Sequence, residues 1–226
     1  MQTTQKNVLI GAIVALIIIV GGVYFYSAKP ATSPVNDAQN LVDNNVVSSE
    51  KTLNIVSAES KATYELNEKL QGKPTHVVGT TQSITGTIKV NQATPAKIEI
   101  GEVKIDATTF KTDIAKRDDN VRELVFKSNT SGNQYIVFVP TSIIGVPSNI
   151  EAGKDFQITI TGDMTILGVT KSITFNGIAN VSAENALTIN VNTNVTYGDF
   201  GLVVPNFSFL ADVDKTVTLT VNLVAK

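Results

Sequence analysis

The sequence predicts a mainly β protein: an antiparallel barrel or sandwich with one short crossover helix, preceded by an N-terminal transmembrane helix. Three observations carry this. Ile160, Gly162, Met164 and Ile166 alternate with polar residues, and Ile173 and Phe175 resume the alternation beyond Gly168. A period of two marks half-buried strands, and glycine between two such arms permits a tight reversal. From Leu53 onward, many short runs of this kind are separated by turn residues, with one helical stretch among them; strands without alternating helices build antiparallel barrels or sandwiches. Upstream, Val8–Tyr26 carries no charge over 19 residues.

Residues 1–7 are polar with one charge, Lys6, and read as a short cytoplasmic N-terminus. As a helix, Val8–Tyr26 would rise about 28 Å, close to the hydrocarbon thickness of a bilayer. Tyr24, Phe25 and Tyr26 stand where an interfacial aromatic belt would lie. A cleaved signal is the alternative, but Tyr26-Ser27-Ala28 puts a bulky residue in the cleavage motif, Ala31-Thr32-Ser33 runs into Pro34, and Val20-Gly21-Gly22 is followed by further apolar residues from Val23. An uncleaved anchor is therefore favoured. Lys6 sets a weak positive-inside bias, which places the rest of the chain on the extracytoplasmic side, in the periplasm or at the cell surface. Residues 27–51, rich in Ser, Ala, Pro and Asn, read as a flexible linker, and the folded domain is expected over 52–226.

Within that domain strands are expected at Ala62–Leu66, Ile84–Val90, Lys97–Thr109, Gln134–Val139, Phe156–Leu167, Ser172–Val181, Leu187–Thr196, Val203–Leu210 and Thr216–Val224. Turns are expected at Gly72-Lys73-Pro74, Ala93-Thr94-Pro95, Asn129–Asn133, Pro147–Asn149, Glu184-Asn185 and Asp212–Lys215. Thr112–Lys127 is the helical stretch. Ile114, Val121, Leu124 and Val125 share one face, Thr112 or Asp113 can cap the start, and Asp118 and Arg122 are spaced for an i, i+4 pair.

Composition excludes several function classes. A net charge of −2 with no basic run offers nothing to nucleic acid. The absence of Cys removes disulfides, thiolate metal sites and Cys nucleophiles. One histidine, His76, supports neither a zinc cluster nor the usual acid–base schemes, and it reads as structural or surface-exposed. Asp118-Asp119 and Asp212-x-Asp214 are too short for a calcium loop, and Gly198–Gly201 is a turn without a following helix. No catalytic residue, metal site or cofactor is expected, and the oligomeric state is not readable.

The stretch Ile160–Phe175, ITGDMTILGVTKSITF, resembles the GxLTIxGVTKxVxF-like segment of the YceI-like polyisoprenoid-binding family. Three further stretches fit in order: Lys61–Val90 with its VGTT and TGTI runs, Arg117-Asp118 followed by Val121-Arg122 against an RDxxLR-like segment, and Tyr197–Gly201 with Val217–Val224. Coverage runs from about Leu53 to the C-terminus. Val121 and Glu123 depart from the family pattern, which bears on the ligand more than on the fold. The resemblance implies a lipocalin-like barrel whose interior holds an isoprenoid chain.

A barrel of about eight strands is the size at which a lumen holds one small ligand or only packed side chains. Phe138, Ile158, Ile160, Met164, Ile166, Phe175 and Phe209 are the candidates to line such a lumen; the same residues suit a filled core. Arg117, Asp118 and Arg122 are the polar candidates near the helix. They brace it against the barrel mouth or meet a ligand head group, and bracing is favoured. The expected function is a membrane-anchored, non-catalytic binding protein for a polyisoprenoid-type lipid such as a quinone or polyprenol, serving transport, storage or sequestration. The alternative is a structural or adhesive surface domain with a filled core and a protein partner.

Overall fold

In the computed structural model, residues 50–91 and 97–226 are described. The expected transmembrane helix at 8–26, most of the linker and the turn at 93–95 lie outside them. Among the described residues no helix is long and apolar enough to cross a membrane. In chain order the strands are β1 (Glu50–Asn54), β2 (Lys61–Leu70), β3 (Lys73–Thr81), β4 (Ile84–Thr85), β5 (Thr87–Asn91), β6 (Ile98–Ile100) and β7 (Val103–Asp106). After the short helix α1 (Ala115–Asn120) come β8 (Tyr135–Ile144), β9 (Phe156–Ile166), β10 (Val169–Val181), β11 (Leu187–Thr196), β12 (Leu210–Ala211) and β13 (Thr216–Ala225).

The strands form a nearly closed antiparallel barrel. The order runs β3-β2-β13-β11-β10-β9-β8-β7-β4, with β12 beside the end of β2. The ring is drawn together where Thr80 and Lys111 exchange backbone hydrogen bonds of 2.8 and 2.9 Å. A second, three-stranded sheet, β1-β5-β6, is tied to the barrel through reciprocal bonds between Asn54 and Lys226. Glu50 and Lys51, expected in the linker, belong to β1.

The β9–β10 hairpin shows why these residues make this fold. Ile166 pairs with Val169, and the two residues between them, Leu167 and Gly168, have φ of 52° and 75°. Two positive φ angles match the right-handed twist of the flanking strands, and glycine takes the second without steric cost. Along β9 the side chains of Ile158, Ile160, Met164 and Ile166 are buried, and Thr159, Thr161 and Thr165 face outward. Those threonines bond across to β10: Thr161 to Thr174 at 2.9 Å, Thr165 to Thr170 at 2.8 Å, Thr159 to Asn176 at 2.9 Å. The abundance of Thr and Asn thus serves the outer face, where cross-strand hydroxyl pairs fix the register.

Antiparallel pairing assigns two ends. The upper end carries Leu70, Tyr135, Ile166, Val169, Thr196 and Thr216; the lower carries Lys61, Ile144, Phe156, Val181, Leu187 and Ala225. The lower end is packed solid, with Ile84, Ile88, Leu187 and Ala225 at most 2% exposed. Above it stand α1 and the segment 202–210.

Several expectations are corrected. The expected strand Ile84–Val90 breaks at Gly86 into β4 and β5, which join different sheets, and Lys97–Thr109 breaks into β6 and β7 and ends in a 3-10 turn over Ala107–Thr109. Val203–Leu210 alternates like a strand, but only Leu210 joins one; Pro205 supplies no N–H for a ladder, and the segment crosses the barrel mouth instead. Lys73–Thr81 is a full strand, and the turn before it centres on Gln71 and Gly72, so Pro74 lies inside β3. The helix is α-helical only over Ala115–Asn120, then widens into a π turn over Val121–Val125, with Phe126 N–H bonded to the Val121 carbonyl at 2.8 Å. Its expected Asp118–Arg122 pair does not form: Arg122 bonds Asp119, and Asp118 turns back to Thr112.

Gly177, opposite Ile158 and Val191, has no room for a side chain: a Cβ there would overlap the carbonyl oxygen of Asn190. Gly177→Ala is expected to destabilise the barrel by about 1–3 kcal/mol in denaturant unfolding, as overpacking does. Gly198→Ala, where no atom lies within 4 Å, should leave the midpoint in place. Equal midpoints for both variants would contradict this packing.

Candidate ligand-binding cavity

The inward faces of the barrel enclose a cavity of about 320 Å³, within the range of small-molecule sites. Its walls are apolar. Ile160, Met164 and Ile166 come from β9, Phe175 from β10, Phe138 from β8, Val191 and Val195 from β11, and Leu219 and Val221 from β13. Phe138 meets Phe175 edge to face, with ring centroids 5.3 Å apart. The roof is built by the crossover: Phe110 and Phe126, flanking the helix, stack at 6.0 Å, and Val121 and Val125 point into the cavity from the π turn. Segment 202–210 adds Val204, Pro205, Phe207 and Phe209. Exposed lining residues, Lys116 and Phe209, show that the cavity reaches solvent at the upper end.

Of the residues singled out from sequence, Phe138, Ile160, Met164, Ile166, Phe175 and Phe209 line this cavity. Ile158 does not. It is 3% exposed and packs in the solid core, two residues nearer the lower end than Ile160. The polar candidates separate. Arg117 lines the mouth and bonds Glu68 of β2 at 3.0 Å, with side chains only 12% and 8% exposed; it also reaches Asp113. Asp118 is buried and accepts from the Thr112 N–H at 2.8 Å and the Thr112 hydroxyl at 2.7 Å. Arg122 points away from the cavity to Asp119. Arg117 thus ties α1 to the barrel wall, and Asp118 ties it to its own leading turn. His76 sits on the outer face beside Asn67 and Glu65, at 3.0 and 3.2 Å.

Sequence reasoning missed Tyr64. Its ring covers Gly79 across the β2–β3 pair and packs on Phe110 with centroids 5.3 Å apart. Burial, then the negative charge of Asp118, push its hydroxyl up to about 12, against a lowering pull from Arg117. The phenol is therefore neutral and able to donate at neutral pH. The signal was present in the sequence: Tyr64 and Leu66 stand two apart on the expected strand, a period-two pair facing inward.

The architecture is a nearly closed antiparallel β-barrel around an apolar cavity, open at one end under a helical roof. The family model of the YceI-like domain matches residues 53–225, and the chain belongs to the YceI-like family. Solved structures agree on the fold. BcnA from Burkholderia cenocepacia is 21% identical, covering 76% of this chain and 99% of its own, with a TM-score of 0.56. A polyisoprenoid binding domain from Saccharophagus degradans, implicated in plant cell wall breakdown, is 14% identical, covering 77% and 97%, with a TM-score of 0.61. No curated protein matches the chain.

Asp118→Ala leaves the Thr112 N–H without its acceptor and is expected to cost about 1–3 kcal/mol. Thermal unfolding measures it, and any cavity ligand should be lost only in step with stability. Unchanged stability with loss of ligand would replace bracing by a head-group role.

Proposed function

We propose that this protein binds a polyisoprenoid-type lipid, a quinone or polyprenol, in the barrel cavity, without catalysis, for transport, storage or sequestration. One observation carries the reading: the cavity is enclosed by apolar side chains from every wall and opens at one end, under a roof braced by Arg117. Such a space favours a chain by buried area, each CH₂ contributing roughly 0.8 kcal/mol. The charged groups at the mouth, Arg117 and Glu68, stand where the head of a chain buried tail-first would rest. Family membership and the fold shared with the Saccharophagus degradans domain support the same ligand class.

We further propose that Val8–Tyr26 anchors the chain in a membrane with the barrel on the extracytoplasmic side. A linker of about 25 residues spans roughly 25–30 Å as a flexible coil. The barrel then meets the bilayer surface, where such lipids reside, at high effective concentration.

Residues 50–226, expressed in a bacterium that makes quinones and polyprenols and checked for β-type circular dichroism, should carry one such lipid into an organic extract read by mass spectrometry. Ile160→Arg or Met164→Arg, each placing a charge in the cavity, should empty or unfold the barrel. A folded domain that carries no isoprenoid and takes up no added quinone or polyprenol would favour a filled structural domain. For the anchor, the intact mass of membrane-extracted full chain should include Val8–Tyr26; a mature chain starting near Val23 or Pro34 would remove it.

A further inference from the structure

The strand geometry that closes the barrel also sets the depth of the cavity. On β13 the inward side chains of Val217, Leu219, Val221 and Leu223 all line the wall, from the upper end downward. The next inward residue, Ala225, does not line it and is fully buried, as is its register partner Leu187. The floor is therefore the pair Ile189 and Leu223, register partners across β11 and β13 that both line the cavity. On β9 the lining likewise starts at Ile160, above the buried Ile158. One row above the floor, Val191, Val221 and Ala62 stand in register across β11, β13 and β2. All three line the cavity, and their small side chains leave its lower part open.

Inward positions recur every two residues, about 6.7 Å along a strand, and barrel strands tilt by roughly 35–45°, so successive rows rise by about 5 Å along the barrel axis. An extended chain of single bonds advances about 3.5 Å for every three bonds, so an isoprene unit, which adds four bonds, also advances by about 5 Å. One row of the wall thus corresponds to one isoprene unit. The enclosed volume of about 320 Å³ lies at the lower end of the range for small-molecule sites. It suits a chain of a few units and not one several times longer.

We propose that the cavity measures the isoprenoid it holds: between the Ile189–Leu223 floor and the mouth it takes about four isoprene units, tail first, and the row Val191, Val221 and Ala62 admits the last of them. This inference rests on the proposed isoprenoid cargo and adds a preferred length to it. A shorter chain leaves the floor unfilled, and the side chains there lose their contacts. A longer chain leaves its surplus units outside the apolar wall.

Full-length protein in phosphatidylcholine nanodiscs is offered prenols of three, four, five and nine isoprene units at equal mole fractions. Native mass spectrometry of the ejected chain reads which prenol stays bound, and circular dichroism of the same samples checks the β-type fold. The four-unit prenol should be bound about ten-fold more often than the nine-unit one, whose surplus units find no apolar wall. Val221→Phe fills the row above the floor and should move the preferred length to three units. Val191→Phe, at the register partner, serves the same purpose if the first variant fails to fold. A profile that is flat across lengths, or that rises to the nine-unit chain, overturns the length preference and leaves the cargo in place. So does a maximum that a folded variant fails to move. A folded protein that holds no prenol of any length removes the cargo, and the length preference with it.

Discussion

Every strand of the barrel sends alternate side chains inward, and at its upper half the inward set does not fill the space it encloses. This follows from strand geometry. A closed ring of about eight strands has an interior that large side chains can fill and medium ones cannot. Here β11 contributes Val191 and Val195, and β13 contributes Val217, Leu219 and Val221. Larger rings, Phe138 and Phe175, occupy one wall. The lower half closes because Ile84, Ile88 and Leu187 pack there with the β1-β5-β6 sheet. The upper half stays open and apolar, and the rest of the architecture holds that space.

The roof is the costly part. A six-residue α-helix has little stability of its own. It is kept in place by three attachments: Arg117 to Glu68, Asp118 to Thr112, and the stacked pair Phe110–Phe126. Val121 and Val125, at the two ends of the π turn, both point into the cavity. Arg117–Glu68 is a nearly buried pair, so removal of either partner would strand the other charge at the cavity mouth. Such a pair selects one helix position over others more than it adds stability.

Much of this was legible in the sequence. The β9–β10 hairpin, its turn at Gly168, and strands β10, β11 and β13 follow from alternation and turn chemistry. So do five of the cavity residues, Phe138, Ile160, Met164, Ile166 and Phe175, which face inward from β8, β9 and β10, whereas Phe209 lines the cavity from the mouth segment. What was not legible depended on context that alternation does not encode. Val203, Phe207 and Phe209 alternate as in a strand, yet Pro205 prevents a ladder and the run becomes part of the mouth. Val77–Thr81 lies behind a Gly-Lys-Pro run that reads as a longer turn than it is. Ile158 has the right face but the wrong height. The inward face of Tyr64 could be read from its alternation with Leu66, but the space for its ring over Gly79 depends on the β2–β3 register.

The central claim is that the space under the roof is a binding site and not an accident of packing. A crystal structure of the protein purified without removal of lipid tests it most directly. The account predicts one elongated density running from Phe175 and Met164 up past Tyr64 to Phe209, with the crossover helix seated on Glu68. A cavity closed by rotated side chains, with no elongated density, would contradict it.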